Sequence, residues 1–192
     1  MTRATEPPLI PRKTLFGNPT KDNPRISPDG KHLAYLAPAE GVLNVWIGTI
    51  GEDDDRPVTD DRERGIRSYF WSYDNQRILY VQDIGGDENW RLYATSATEG
   101  STSVLTPFDD VQVHVIDYVK RFPDQMIIGM NRDNPRVHDA YRLSLETGTL
   151  EMVAKNPGNV IAWLCDADLS VRGSQAAATH AFADNRRPQL DG

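Results

Sequence analysis

One stretch of this sequence combines residue types and spacing with a chemical use: Asp83-Ile84-Gly85-Gly86-Asp87-Glu88-Asn89. Two adjacent glycines permit a tight reversal, because glycine enters φ > 0 without steric cost. Three polar side chains, Asp87, Glu88 and Asn89, then project from that reversal. The plainer reading is a hairpin turn closed by its own Asp and Asn hydrogen bonds.

Nothing else in the chain has the spacing of a reactive centre. A nucleophile elbow needs Gly-x-Ser-x-Gly, because its strained strand-to-helix turn tolerates only small neighbours. None of the 14 glycines brackets a serine in that way. His32, His114, His138 and His180 form no short metal spacing, and they read as strand and loop surface. His114 alternates with valines in Val111-Gln112-Val113-His114-Val115, so it is expected to face away from them. Gly48-Thr49-Ile50-Gly51 lacks the Lys-Ser/Thr ending of a phosphate loop. Glu52-Asp53-Asp54-Asp55 lacks the alternating oxygens of a calcium loop and reads as a solvated hairpin. Cys165 has no basic sequence neighbour to activate it, so a buried structural thiol is expected. No catalytic residue, cofactor or metal site is therefore assigned.

Composition narrows the classes further. The chain has 192 residues, 21 Lys+Arg against 28 Asp+Glu, and a net charge of −7. An acidic chain does not suit a nucleic-acid partner, which needs excess cations on one face. With 39% hydrophobic and 26% charged residues, a modest core is feasible and disorder is not expected. Its apolar runs are too short to span a bilayer as helices, and a single cysteine allows no internal disulfide. No membrane partner and a cytoplasmic location are expected.

The elements that must position these residues repeat. Ser27-Pro28-Asp29-Gly30-Lys31-His32-Leu33-Ala34-Tyr35 realigns with Ser72-Tyr73-Asp74-Asn75-Gln76-Arg77-Ile78-Leu79-Tyr80, and Asp29 to Asp74 and Tyr35 to Tyr80 are both 45 residues. Asn44-Val45-Trp46 matches Asn89-Trp90-Arg91 at 45, and Thr59 matches Thr106 at 47. A weaker third copy starts near 122. In a fourth, Trp163-Leu164-Cys165-Asp166 echoes Trp71-Ser72-Tyr73-Asp74. Each copy reads as a turn followed by short strands rich in Val, Ile, Tyr and Trp. The tryptophans Trp46, Trp71, Trp90 and Trp163 are expected at equivalent strand positions, packing between neighbouring sheets. Four short strands per roughly 45 residues is the spacing of a β-propeller blade. The expected fold is all-β: an extended segment at 1–25, then blades over 26–192, with repeats starting near 27, 72, 122 and 166. That makes about three full four-stranded blades and part of a fourth, an open arc rather than a closed ring.

Ile10-Pro11-Arg12, Leu15-Phe16-Gly17-Asn18-Pro19, the Pro24 to Lys31 segment and Gly86-Asp87-Glu88-Asn89 carry a family resemblance. They resemble the N-terminal propeller of bacterial prolyl oligopeptidase family serine peptidases, on the acylaminoacyl-peptidase and dipeptidyl-aminopeptidase branch. The Ser-Pro-Asp-Gly turn also occurs in TolB-like propellers. The resemblance implies a propeller that covers the active site of an α/β-hydrolase domain and admits only small peptides. In such a protein the carboxylates of 87–89 face the cavity and meet a peptide amine, or fix the propeller to the hydrolase. Arg172 is similar to an arginine after the corresponding blade strand of the family, against a default of a surface ion pair. No hydrolase domain lies within these 192 residues. The expectation is therefore a truncated, catalytically silent gating portion whose partners are that missing domain, small peptides and, through open blade edges, itself. The alternative is a free-standing TolB-like or WD-type module for protein–protein interaction.

Overall fold

The computed structural model describes residues 9–12 and 20–177; readings at residues 15–19, at His180 and across 178–192 lie outside the described residues. All fourteen elements are strands. The first sheet runs β1 (Asp22–Ile26), β2 (His32–Ala39), β3 (Val42–Thr49), β4 (Arg56–Pro57). The second runs β5 (Phe70–Trp71), β6 (Arg77–Gln82), β7 (Arg91–Ser96), β8 (Thr102–Val104). The third runs β9 (Val113–Asp117), β10 (Gln125–Met130), β11 (Asp139–Ser144), β12 (Leu150–Ala154). A two-stranded sheet pairs β13 (Val160–Cys165) with β14 (Val171–Ala176). The fold is all-β, with the blades of a partial propeller: three of four strands and part of a fourth.

The repeat is visible bond by bond at its turns. The Ser27 hydroxyl donates to Asp29 and accepts from the His32 amide, while the Gly30 amide closes on the Ser27 carbonyl at 2.9 Å. Forty-five residues later Ser72 donates to Asp74 and accepts from the Arg77 amide, and the Asn75 amide closes on the Ser72 carbonyl. Gly30 and Asn75 both sit at positive φ, 77° and 63°, a geometry that glycine and asparagine tolerate best.

Two phases differ from the sequence reading. Phe70–Trp71, just ahead of the second turn, do not close the first copy but form β5, the first strand of the second sheet. The tight Ser72 turn leaves it no other partner, because a turn of that length joins adjacent antiparallel strands. In the fourth copy Asp166 stands where Ser72 stands in the second, not where Asp74 does. Its carboxylate takes the amides of Asp168 and Ser170, so Cys165 occupies the place of Trp71.

The chain divides into two compact units, 1–80 with 95–103, and 81–94 with 104–192, a division that runs through β6 and β7. In the first, Ala34, Leu36, Val45, Ile47, Ile66, Ile78 and Leu79 are buried, each large side chain contributing about 1.5–3 kcal/mol. Two later side chains reach back to β1: the Tyr69 hydroxyl donates to the Asn23 carbonyl and the Trp71 indole to the Arg25 carbonyl. The acidic run is exposed, yet two of its carboxylates are bonded. Asp54 caps the Thr49 amide and hydroxyl, and Asp55 accepts from Lys21 and the Tyr35 hydroxyl, each at 2.6 Å.

In the second unit Ile127, Ala140 and Leu169 form a fully buried cluster, with Trp163, Cys165 and Val171 packed against it. The third sheet and the β13–β14 pair thus share one core. Trp163 is half-buried, its indole donating to the His138 carbonyl at 3.0 Å, but it does not stand at the position of Trp71. Nor does Trp90 meet its expectation: it lies outside β7 and is 37% exposed.

Candidate functional site

The site begins as an insertion. In the first sheet the amide of Val45 donates to Thr59 Oγ1 at 2.9 Å; in the second, Leu92 donates to Thr106 Oγ1 at 2.9 Å. These anchors are 47 residues apart, whereas the preceding turns are 45 apart. Two extra residues therefore lie between β6 and β7. The six-residue tip between Ala37 and Asn44, which turns through Glu40 and Gly41 at positive φ, becomes an eight-residue loop from Asp83 to Trp90. The true counterpart of Asn44 is Arg91, and that of Trp46 is Tyr93. This explains why the match of Asn44-Val45-Trp46 to Asn89-Trp90-Arg91 does not hold in space.

The loop is rigidified from within. Gly85, Gly86 and Glu88 all take positive φ, at 61°, 87° and 56°. The Asp87 carboxylate accepts the amides of Ile84 (3.1 Å) and Asn89 (3.0 Å), the Asn89 side-chain amide (3.4 Å) and the Arg91 guanidinium (3.1 Å). Partial burial pushes the Asp87 carboxyl up, but the Asn89 and Ile84 amides and Arg91 outweigh it and hold it below the usual carboxylate range. The plainer reading of a self-bonded turn thus accounts for Asp87 and Asn89. It does not account for Glu88. Its amide donates to the buried Asp83 at 3.4 Å, and its carbonyl accepts from the Gln112 side chain at 3.2 Å. Its exposed carboxylate has no hydrogen-bond partner among the described residues. A non-glycine residue in this backbone region stores strain, which persists only where surroundings enforce it. Here the clamps on both sides of Glu88 do so.

Arg91 and Gln112 are the residues that sequence reasoning missed. Arg91 is 8% exposed and also reaches the Asn89 carbonyl (3.2 Å) and Asp109 (3.5 Å). At the equivalent place in the other sheets stand buried hubs, Asn44 bonded to the Asp61 backbone and Asp139 bonded to the Asn156 amide. The only sequence signal was a polar residue at that position of each repeat. Gln112 ties the loop to the β10–β11 connection as well, through its amide on Asn131 at 2.6 Å.

Arg172 is not part of this constellation. Its guanidinium binds Asp166 at 2.6 Å on the β13–β14 turn and is largely exposed, the surface pair that is its default reading. The Cys165 thiol is pushed up by burial and by Asp117 and Asp166, the opposite of activation. Among the described residues no group of three or more His, Cys, Asp or Glu is placed to hold a metal. None of their helices is long and apolar enough to cross a membrane.

The structure does bring His114 and His138 together, edge to face with centroids 4.8 Å apart. Burial lowers both imidazoles; His138 adds to the effect on His114, and Asp139 opposes it for His138. A histidine whose folded pKa is depressed binds fewer protons in the native state. Stability is then intact above the ordinary value of 6.5 and erodes as pH falls through it. The urea midpoint is expected to drop between about pH 7.5 and about pH 5.5, and His114→Asn is expected to flatten that slope. Asp87 and the other lowered carboxylates act only below their ordinary 3.8, so the two windows separate.

No family model matches the chain. Two relatives do. Dipeptidyl aminopeptidase BIII of Pseudoxanthomonas mexicana is 40% identical over 96% of this chain and 27% of its own length. Dipeptidyl peptidase family member 6 of Caenorhabditis elegans is 33% identical over 85% of this chain and 23% of its own length. The chain thus spans about a quarter of the length of these relatives. Among solved structures, a prolyl endopeptidase matches with TM-score 0.55 at 13% identity, over 76% of this chain and 23% of its own. TolB from Acinetobacter baumannii matches with TM-score 0.50 at 15% identity, over 78% of this chain and 36% of its own. The resemblance read from the sequence, to the propeller region of prolyl oligopeptidase family peptidases with TolB-like repeats, therefore holds.

Proposed function

We propose that this chain, a relative of the dipeptidyl aminopeptidases, is the propeller portion of a prolyl oligopeptidase family serine peptidase. It controls peptide access to an α/β-hydrolase domain and has no catalysis of its own. One observation carries the reading: 40% identity along almost the whole chain, over only 27% of a dipeptidyl aminopeptidase. The likeness to TolB is one of fold, and it leaves a free-standing interaction module as the weaker reading.

The loop suggests how such a portion contributes. Asp87 and Asn89 are spent on the loop, Arg91 and Gln112 hold it, and Glu88 alone presents a carboxylate outward. A fixed carboxylate of this kind recognises a cation: the free amine of a small peptide or a basic side chain of the hydrolase domain. Arg172, already paired with Asp166, is assigned the role of a strut on its own turn. A reducing, cytoplasmic setting fits the unpaired Cys165.

The test is a chimera in which this chain replaces the aligned segment of the Pseudoxanthomonas mexicana enzyme. The chimera is expected to release dipeptides, and the isolated chain to release none. Glu88→Gln in the chimera is expected to raise KM about tenfold, the equivalent of one charge-assisted hydrogen bond. A folded but inactive chimera, or hydrolysis by the isolated chain, refutes the access role. An unchanged KM refutes the assignment of Glu88 to the peptide amine.

A further inference from the structure

Two opposite charges of the second unit stand on neighbouring loops that a single segment braces. The anion is Glu88, on the β6–β7 loop. The cation is Arg132, on the 131–138 connection between β10 and β11. Its guanidinium lies over the Phe108 ring, 4.5 Å from the centroid, and has no hydrogen-bond or ion-pair partner among the described residues. The adjacent Asp133 faces Lys155 instead, at 3.8 Å. A guanidinium held over an aromatic face keeps its N–H groups available as donors.

The brace is the segment 106–112, between β8 and β9. Toward Glu88 it offers Gln112, whose side chain donates to the Glu88 carbonyl at 3.2 Å, and Asp109, which meets Arg91 at 3.5 Å. Toward Arg132 it offers the Phe108 ring and the Gln112 amide, which donates to the Asn131 side chain at 2.6 Å. Asn131 is 7% exposed and also donates to the Pro135 carbonyl at 3.3 Å, which closes its own connection. Glu88 and Arg132 are thus each mounted, and no ion pair joins them. All of these residues lie inside the described chain and within one unit.

We propose that Glu88 and Arg132 form a two-ended site for a short peptide with both termini free. Glu88 takes the ammonium and Arg132 takes the terminal carboxylate. This rests on the reading of Glu88 as the partner of a peptide amine, and it names the substrate class. Arginine suits the second role because its planar fork bonds both carboxylate oxygens at once. A peptide capped at either terminus engages one end only. The site therefore selects by end chemistry and length rather than by side chain.

NMR titration of the full chain with di- to pentaalanine, which span about 7–18 Å, tests this. The titrations are run at about 0.15 M salt, where long-range attraction is screened. Saturable shifts of amides in 83–90 and 131–138 are expected. N-acetylation and C-amidation of the best-bound length are each expected to weaken binding about tenfold, one charge-assisted bond apiece. These comparisons on the parent chain need no variant. In Glu88→Gln the acetyl group is expected to cost nothing further, and in Arg132→Met the C-terminal amide nothing further. Met keeps an apolar stem over Phe108, so a packing role for Arg132 would leave the amidation penalty intact. Arg136→Met, which removes another exposed charge of the same connection, is expected to change neither penalty. The amide spectrum reports that each variant is folded. Absence of saturable binding overturns the proposal. So does an amidation penalty that survives Arg132→Met, or an equal loss at 132 and 136, which marks unspecific charge attraction. Binding is read on the chain alone, so its failure is separate from that of the chimera. An active chimera without two-ended binding overturns this site and not the access role.

Discussion

Asn156→Ala is expected to destabilise the chain by about 2–4 kcal/mol, seen as a lower urea midpoint at unchanged slope. Asn156 is 7% exposed and uses both donors and both lone pairs of its side-chain amide. Its amide nitrogen donates to the His138 carbonyl (3.2 Å) and the Val160 carbonyl (2.8 Å). Its side-chain oxygen accepts the amides of Gly158 (2.9 Å) and Val160 (3.1 Å). The residue thus fastens the end of the third sheet to the start of β13. Alanine deletes four bonds and strips the part-buried Val160 amide and carbonyl and the Gly158 amide of these partners, and that desolvation dominates the cost. Asn156→Asp keeps the acceptor and loses both donors, so an intermediate loss is expected. Asn134→Ala, which removes only an exposed bond to the Arg136 amide at 3.0 Å, is expected to stay within about 0.5 kcal/mol of the parent. Equal losses at 134 and 156 would contradict the role given to Asn156.

The second large effect runs against a general rule. Glycine inside a strand normally costs stability relative to alanine, by about 0.5–1 kcal/mol. At Gly129, next to the end of β10 and paired on both sides, the opposite sign is expected. An added Cβ would lie 2.5 Å from Nε2 and 3.0 Å from Nδ1 of His114, whose ring covers the glycine from β9 and is itself packed against His138. Gly129→Ala is expected to destabilise, and Gly129→Val by about 1–3 kcal/mol through overpacking. Adding His114→Ala to Gly129→Ala is expected to recover at least half of the loss. Chemical denaturation of the four species of this cycle measures the coupling, and additive losses would show that the imidazole is not what the Cβ meets.

Much of the architecture was legible because its causes are local. Ser27 and Ser72 build the same turn from the same hydroxyl, Asp and positive-φ residue, and a period of such turns between strand-forming runs reads as blades. The candidate loop was legible for the same reason, since Gly85-Gly86 announces a reversal and the residues after it are polar. The misreadings are equally instructive. At the period of the turns Asn89 falls on Asn44 and Trp90 lands one place short of Trp46, but the two-residue insertion between β6 and β7 shifts the register. Nothing local reports an insertion until a distant bond, such as Leu92 to Thr106, fixes the frame.

The sequence by itself determined an all-β repeat of four-stranded blades, three complete and one partial, and the position of the one polar reversal that could do chemistry. Turn chemistry and strand alternation act within a few residues, so they survive without knowledge of the fold. Only the tertiary structure decided that β5 starts the second sheet and that Arg91 and Gln112 hold the loop. It alone showed that Asp87 is spent while Glu88 is presented, and that His114 and His138 meet over Gly129. Each of these depends on which side chains, 4 to 25 residues or more apart, compete for one donor or one volume, a competition that is settled only when the strands are in register.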